Sequence, residues 1–380
     1  MNINMRSSLR QKYLFLLMFL SATGLFAQTG PLRVTGVVTD SLTNETLPFA
    51  SVFFAGTTYG TTSDKEGNYS LSTKAPGTYD LVISFLGYET FYRQILLDGS
   101  GEVQLNVALV TEARNIGGVV VTAKKDEKWR NNLETFKRAF LGNSENAEQC
   151  KILNEEVLNF DYDPNEQSLE AYAGEPLIIE NKALGYRISY LLEDFRILYK
   201  YNYTSYYGFT SFKEMGKESK PKKRWVRNRE KSYNGSMQHF FKAVFESRVE
   251  EEGFVVNAAW DLEGGGRALD PDPVDLETLL ASIRTGAKRL NFDNYLYVAY
   301  KNEDEPPGYY NRRSGVSRSE MGRGQLSWMR LFDGVNGIDF ESNGYLINPL
   351  VAIVDGYWGY EKVAELVPSN YSPTEAPDKE

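Results

Sequence analysis

One cysteine and one histidine are all the thiol and imidazole in this 380-residue chain. Cys150 alone cannot close an intramolecular disulfide. His239 alone cannot build a zinc site of the His-Glu-His or three-His kind. A Ser-His-Asp or Cys-His triad would have to pass through this one position. No G-x-S-x-G elbow, P-loop or dinucleotide fingerprint occurs. After the first 27 residues, no apolar run has the length a spanning helix needs. Positive charge is also in deficit. The net charge of −9 disfavours nucleic acid and anionic lipid surfaces as partners.

What is present begins with an address. Arg6, Arg10 and Lys12 form a positive start, Tyr13 to Leu20 is a short apolar run, and Ser21 to Ala27 supplies small residues. This pattern predicts a signal peptide over 1–27, cut after Ala27. An uncleaved N-terminal helix is the alternative. No cysteine follows the cut, which excludes lipid anchoring there. Loss of the three basic residues takes the net charge from −9 to −12. The mature protein is therefore expected to be exported, periplasmic or associated with an outer membrane. Tyr at 25 and Phe at 21 favour sheet, where aromatics suit a pleated, half-buried surface. A chain of this length suits two domains.

From Leu32 to about Ala123, short alternating runs are separated by turn residues. Val34, Gly36 and Val38 alternate, and Asp40 to Glu45 is polar. Ala50, Val52 and Phe54 share a face. Asp64-Lys65-Glu66-Gly67 is a turn in which Asp bonds its own backbone and Gly takes positive φ. Tyr69 and Leu71, then Leu81, Ile83 and Phe85, alternate again, and Gly87 marks a reversal before Tyr88. Val103, Leu105, Val107 and Leu109 close the series on one face. The pattern predicts a seven-stranded antiparallel β-sandwich over 28–115.

The spacing G-x-V-x-D (Gly36 to Asp40), L-P-x-A-x-V (Leu47 to Val52), G-T-x-x-G-T-x-S-D-x-x-G-x-Y-x-L (Gly56 to Leu71) and I-S-x-x-G-Y (Ile83 to Tyr88) resembles the carboxypeptidase regulatory-like domain. The resemblance covers about a quarter of the chain. It implies a prealbumin-like sandwich, a carbohydrate-binding-like fold common in exported proteins of Gram-negative bacteria. It also implies an accessory module without catalytic residues, and a metallocarboxypeptidase needs more histidine than this chain has. Ile116 to Ala123 (IGGVVVTA) resembles the segment that precedes the plug and barrel of TonB-dependent receptors. Only about 255 residues follow it, too few for that plug and barrel. The plainer reading is a final strand or a linker over 116–128.

Residues 129–367 read as an α+β domain with antiparallel sheet and a few helices. Trp129, Leu133, Phe136 and Phe140 recur at helical spacing before Gly142. Strand-like runs follow at Phe160, Leu177 to Ile179, and Tyr186 to Leu192. The period of two then continues from Phe195 through Tyr207. Lys213 to Lys231 carries nine Lys or Arg against three Glu. It reads as a solvated face or hairpin, or as an anion-binding surface. Ser236 reads as the cap of a helix ending at Gly253. Asp272 and Pro273 read as the start of a short helix leaving at Gly286. Strands are expected at Phe292 to Tyr300, Leu326 to Phe332 and Gly344 to Ile347. The tail over 368–380 reads as disordered. The features C-x-I-x-N (Cys150 to Asn154), W-x-x-N-R (Trp225 to Arg229), Y-x-G-S-x-x-H-F (Tyr233 to Phe240) and W-G-Y-x-x-V-A-E-L-V-P (Trp358 to Pro368) resemble envelope proteins that pair a regulatory-like domain with an uncharacterised module.

Ser236 and His239 lie three apart, as a nucleophile and base could, but Ser236 is explained as a cap. Cys150 reads as a buried small residue or as a reactive thiol. Asp161 to Tyr172 fails the EF-hand pattern at its sixth and twelfth positions, Glu166 and Tyr172. Candidate binding residues are Tyr201, Tyr203, Tyr206, Tyr207 and Trp225, where exposed aromatics beside polar groups could stack on sugars or dock a protein. Neither catalytic residues nor a cofactor or metal are expected. The favoured reading is a non-catalytic envelope protein that binds a glycan or another envelope protein. The alternatives are a hydrolase using two carboxylates, and a small outer-membrane barrel or receptor-associated accessory protein.

Overall fold

The computed structural model describes residues 32–99, 101–112, 125–216, 221–310 and 324–373. The expected signal peptide, Val119 to Val121 with most of the linker, and the tail from 374 onward lie outside the described residues.

Eight strands form the first module: β1 (Leu32–Asp40), β2 (Ser51–Phe54), β3 (Gly60–Thr62), β4 (Asn68–Thr73), β5 (Gly77–Ser84), β6 (Phe91–Leu97), β7 (Glu102–Gln104) and β8 (Val107–Leu109). One sheet joins β4, β1, β7 and β8, and the other runs β3-β2-β5-β6. Val34, Val38, Val52, Phe54, Leu71, Leu81 and Ile83 meet between them. Two details differ from expectation. The strand read over 103–109 is broken, and both halves pair with β1 in parallel. At the break, the Asn106 side chain accepts the Val37 N–H at 3.1 Å, replacing a ladder bond. The Leu105 carbonyl presses so close to β1 that a Cβ on Gly36 would lie 1.8 Å from its oxygen. That approach explains the glycine of the G-x-V-x-D spacing.

The same spacing also links distant turns. Asp40 accepts N–H bonds from Leu42 and Thr43 at 2.7 and 2.8 Å, and the Tyr88 hydroxyl at 2.7 Å. The Tyr88 bond and these amides hold the Asp40 carboxyl below its ordinary range. Ser63 donates to the Leu47 carbonyl and accepts from Ala50 N–H, at 2.7 and 2.8 Å. Gly67 sits at φ +79° and Asp64 accepts from the amides of Glu66 and Asn68, as the turn chemistry predicts.

The second segment opens with α1 (Glu127–Phe140), capped by Asp126. It covers the first of two hydrophobic cores, built with β9 (Cys150–Ile152), β10 (Leu158–Asp163), β11 (Ser168–Ala173), β12 (Leu177–Asn181), β13 (Tyr186–Leu198) and β14 (Tyr203–Glu214). Then come α2 (Lys223–Tyr233) and α3 (Met237–Phe245). They lead into a second core made with β15 (Phe254–Asp261), β16 (Arg267–Pro273), β17 (Leu280–Arg284), β18 (Ala287–Leu290), β19 (Tyr295–Tyr300), β20 (Gln325–Leu331), β21 (Ile338–Glu341) and β22 (Ala352–Gly356). Phe240, Phe241, Phe254 and Phe340 are fully buried there. The protein is thus mainly β, a sandwich followed by an α+β region. None of its sheets closes into a barrel among the described residues.

Several boundaries moved. The basic run hides α2, because Trp225, Arg229, Ser232 and Tyr233 turn one face inward. The helix capped by Ser236 stops at Phe245, and Gly253 (φ +89°) serves the turn into β15. No helix starts at Asp272. β16 runs through Pro273, and a single 3₁₀ turn (Leu276–Leu279) capped by Asp275 follows. Gly344 to Ile347 returns only as a bridge, Phe340 to Leu346, beside β21. The tail does not loosen at 368. Ser369 N–H donates to the Gly56 carbonyl at 2.7 Å, and Asn370 bonds both the amide and the hydroxyl of Thr58 at 3.1 and 2.8 Å.

Candidate functional site

The sandwich is bolted to the second segment. Gly56 N–H donates to the Thr210 carbonyl at 2.7 Å and Phe212 N–H to the Thr57 carbonyl at 2.9 Å, so the turn after β2 adds to β14. Phe53 and Val82 of the sandwich bury against Leu191 and Phe209. Phe209 also meets the Tyr92 ring at 5.2 Å. Glu341 at the end of β21 reaches across, accepting from Thr78 N–H at 3.0 Å and from Arg284, which also bonds the Thr78 hydroxyl. The Tyr345 hydroxyl donates to Asp80 at 2.5 Å.

These contacts leave a cleft of about 210 Å³ between the modules. Four tyrosines line it: Tyr59 and Tyr79 from the sandwich, Tyr345 from the turn after β21, and Tyr371 from the tail. Asn343, Asn370 and Lys242 add polar groups. Burial raises the Tyr79 and Tyr345 hydroxyls above their ordinary range and pushes Tyr371 up to about 12. They are therefore neutral hydrogen-bonding groups at neutral pH. Glu341 is the only acid in the lining, and Arg284 and Thr78 already hold it. Among the described residues the lining holds one carboxylate, where most glycoside hydrolases oppose two. No sequence pattern flagged it, since Thr78 and Glu341 stand 263 residues apart. The Asn343-Gly344 turn is the one local signal, and there Tyr345 N–H donates to the Asn343 side chain at 3.0 Å.

The sequence-derived candidates do not converge. A 3₁₀ turn over Tyr199–Tyr201 and Asn202 at φ +46° break the expected single strand, so β13 and β14 form a hairpin. That break changes the phase of the alternation, so β14 carries Tyr206 on the inward side with Phe212, opposite Phe195 of β13. Tyr206 packs edge-on to Phe140 at 5.3 Å, opposite to the outward face expected of it. Tyr207 lies against Phe209 at the module junction, and burial pushes its hydroxyl up to about 12. Tyr201 and Tyr203 stay exposed, 68% and 40%, at the hairpin end. Trp225 is buried, not exposed, and its indole N–H donates to the Lys182 carbonyl at 3.0 Å.

His239 is a packed structural residue. Its Nδ1 accepts from Gly235 N–H at 3.1 Å, which places the proton on Nε2, 3.1 Å from a Glu252 oxygen. Desolvation lowers its pKa, against a smaller pull upward from Glu252. Ser236 Oγ accepts the His239 N–H, the cap bond that was expected. Burial, with Glu365 nearby, pushes the Cys150 thiol up to about 12, the opposite of an activated thiolate. Among the described residues, no group of three or more His, Cys, Asp or Glu is placed to hold a metal.

Residues 34–121 match the family model of the CarboxypepD_reg-like domain, so the N-terminal sandwich is a domain of that type. No curated protein matches the chain. Among solved structures, the chain is similar to a type II cohesin–X-dockerin complex from Acetivibrio cellulolyticus, at 21% identity over 23% of this chain, with a TM-score of 0.19. It spans 62% of that chain's length. It is also similar to a candidate carbohydrate binding protein from Bacteroides uniformis ATCC 8492, at 12% identity over 48% of this chain and 80% of that one, with a TM-score of 0.19. A third is a candidate membrane-associated protein of unknown function from Bacteroides fragilis NCTC 9343, at 14% identity over 86% and 97%, with a TM-score of 0.18. TM-scores this low carry no argument about function.

Proposed function

We propose that this is an exported, non-catalytic binding protein of the cell envelope, and that it takes a glycan in the cleft between its two modules. The observation that carries this reading is the lining of the cleft. Four tyrosines and two side-chain amides line a small cavity with a single acid already engaged by arginine. Aromatic faces beside fixed amides suit a sugar ring, which presents apolar C–H faces and a rim of hydroxyls. The cavity is smaller than the ~300–1,000 Å³ of typical ligand pockets, so it would hold the end group of a longer glycan. The signal-peptide pattern supplies the address, and no helix among the described residues is long and apolar enough to cross a membrane.

Glycan-array binding of the full chain tests the proposal. Tyr59→Ala and Tyr371→Ala, one from the sandwich and one from the tail, should each weaken binding about tenfold or more, with the melting temperature nearly kept. Equal binding by both variants would rule the cleft out.

A further inference from the structure

A second surface lies away from the cleft. Across the outer face of the first sheet, Lys151, Glu180, Arg187 and Lys213 stand in register on β9, β12, β13 and β14. Neighbouring strands are about 4.8 Å apart, so the row forms a straight line of charges across four strands. Arg187 and Lys213 are direct cross-strand partners with like charge, a pairing that disfavours the sheet. Glu180 is the one acid in the row. It is shared between Arg187 at 3.5 Å and Lys182 at 3.4 Å, whose side chains are 53% and 61% exposed.

The row continues onto α2. Trp225 bonds the Lys182 carbonyl and Arg229 bonds the Leu184 carbonyl, which seats the helix on the β12–β13 turn. Lys222, Lys223 and Arg224 at its start are all exposed. Glu214 beside Lys213 is already gripped by the buried Arg229, at 2.8 and 3.1 Å. Four cations on the sheet and its β12–β13 turn, Lys151, Lys182, Arg187 and Lys213, are thus joined by three at the start of the helix that Trp225 seats on that turn, in a chain whose net charge is −9. Among the described residues beside these cations no aromatic ring is exposed to stack a base, and Leu153, 43% exposed and two residues from Lys151, is a single apolar side chain where entering a bilayer needs an apolar face.

We propose that this face binds a linear acidic polysaccharide, with its carboxylates or phosphates laid along the row. Cations at strand spacing, interrupted once by Glu180, match a polymer with regularly repeated anions. Beyond the Debye length of about 8 Å the repulsion of the acidic chain is screened, so the local row governs contact.

The test uses the full chain and polygalacturonate at about 0.15 M salt, where that screening holds, with neutral dextran as control. Arg187→Gln with Lys213→Gln, and separately Lys223→Gln with Arg224→Gln, should each weaken binding about tenfold. Glu180→Gln removes the acid and should tighten it, a gain that misfolding cannot produce. Rising salt should weaken every complex. Binding unchanged in both double variants, equal binding of dextran, or tighter binding of DNA or of anionic phosphatidylglycerol vesicles than of the polyuronate would overturn the proposal.

Discussion

Gly67→Val is a perturbation whose cost can be worked from local geometry. Gly67 holds φ +79°, and a Cβ there would stand 2.8 Å from the Val38 carbonyl oxygen and 2.9 Å from Thr46 Cβ. The left-handed conformation alone costs an L-residue about 1–2 kcal/mol, and a β-branched one more. The overlap with the Val38 carbonyl is with backbone, which also accepts the Leu47 N–H at 2.9 Å, so it cannot move cheaply. The sum is about 2–4 kcal/mol. All five tryptophans lie in the second segment, at 129, 225, 260, 328 and 358. Tryptophan fluorescence therefore reports a module that the substitution does not touch. Because Phe53 and Val82 bury against Leu191 and Phe209, and the turn after β2 bonds to β14, the modules should unfold together. Denaturant midpoints read by circular dichroism and by tryptophan should fall in step. A tryptophan midpoint that stays put while circular dichroism shows early loss would refute the coupling. No shift in either would refute the Gly67 geometry. The sandwich closes its own core, so a fragment over 29–115 should also fold alone and be weakened by the same substitution.

Arg284→Met should destabilise by about 2–4 kcal/mol in denaturant titration, somewhat below the usual loss for a broken buried pair because Arg284 is 26% exposed. Adding Glu341→Gln should restore most of it. His239→Asn should cost about 1–3 kcal/mol of stability, since Gly235 N–H loses its acceptor, and should leave glycan binding within about threefold. Binding lost with the fold intact would give His239 a functional role. Burial, with Glu365 and Glu303 close by, holds the Glu361 carboxyl well above 4.5 in the folded state. The folded chain then keeps that proton to higher pH than the unfolded one, so ionisation costs stability as pH rises. Glu361→Gln should raise Tm near about pH 8, with the gain shrinking towards pH 4.5. A gain that does not vary with pH would contradict this sign.

The sandwich was legible because its information is local. Asp64 and Gly67 punctuate one turn and Gly87 another, and the Asp40–Tyr88 bond ties the Gly87 turn to the one that follows β1. The helix of Trp129 to Phe140 was legible for the same reason, with a clean 3.6-residue stripe and three buried apolar positions. Where the reading failed, a long-range effect overrode the local pattern. Trp225 looked exposed inside a basic run, yet it caps the β12–β13 turn from a helix whose inward face includes Arg229. The tyrosines of 199–207 kept their alternation in sequence but lost it in space to a 3₁₀ turn over Tyr199–Tyr201 and one left-handed asparagine. The cleft itself was invisible, because its walls come from residues 55–79, 242, 341–345 and 369–372.

The most direct test of the central claim is the fate of a bound glycan. A glycan retained by the full chain would be incubated with it and examined by mass spectrometry and by reducing-end release. The account predicts an intact glycan at full occupancy, because Glu341 is the only acid in the cleft and is already tied to Arg284. Steady release of shorter products, lost in Glu341→Gln, would contradict it and make the protein a hydrolase.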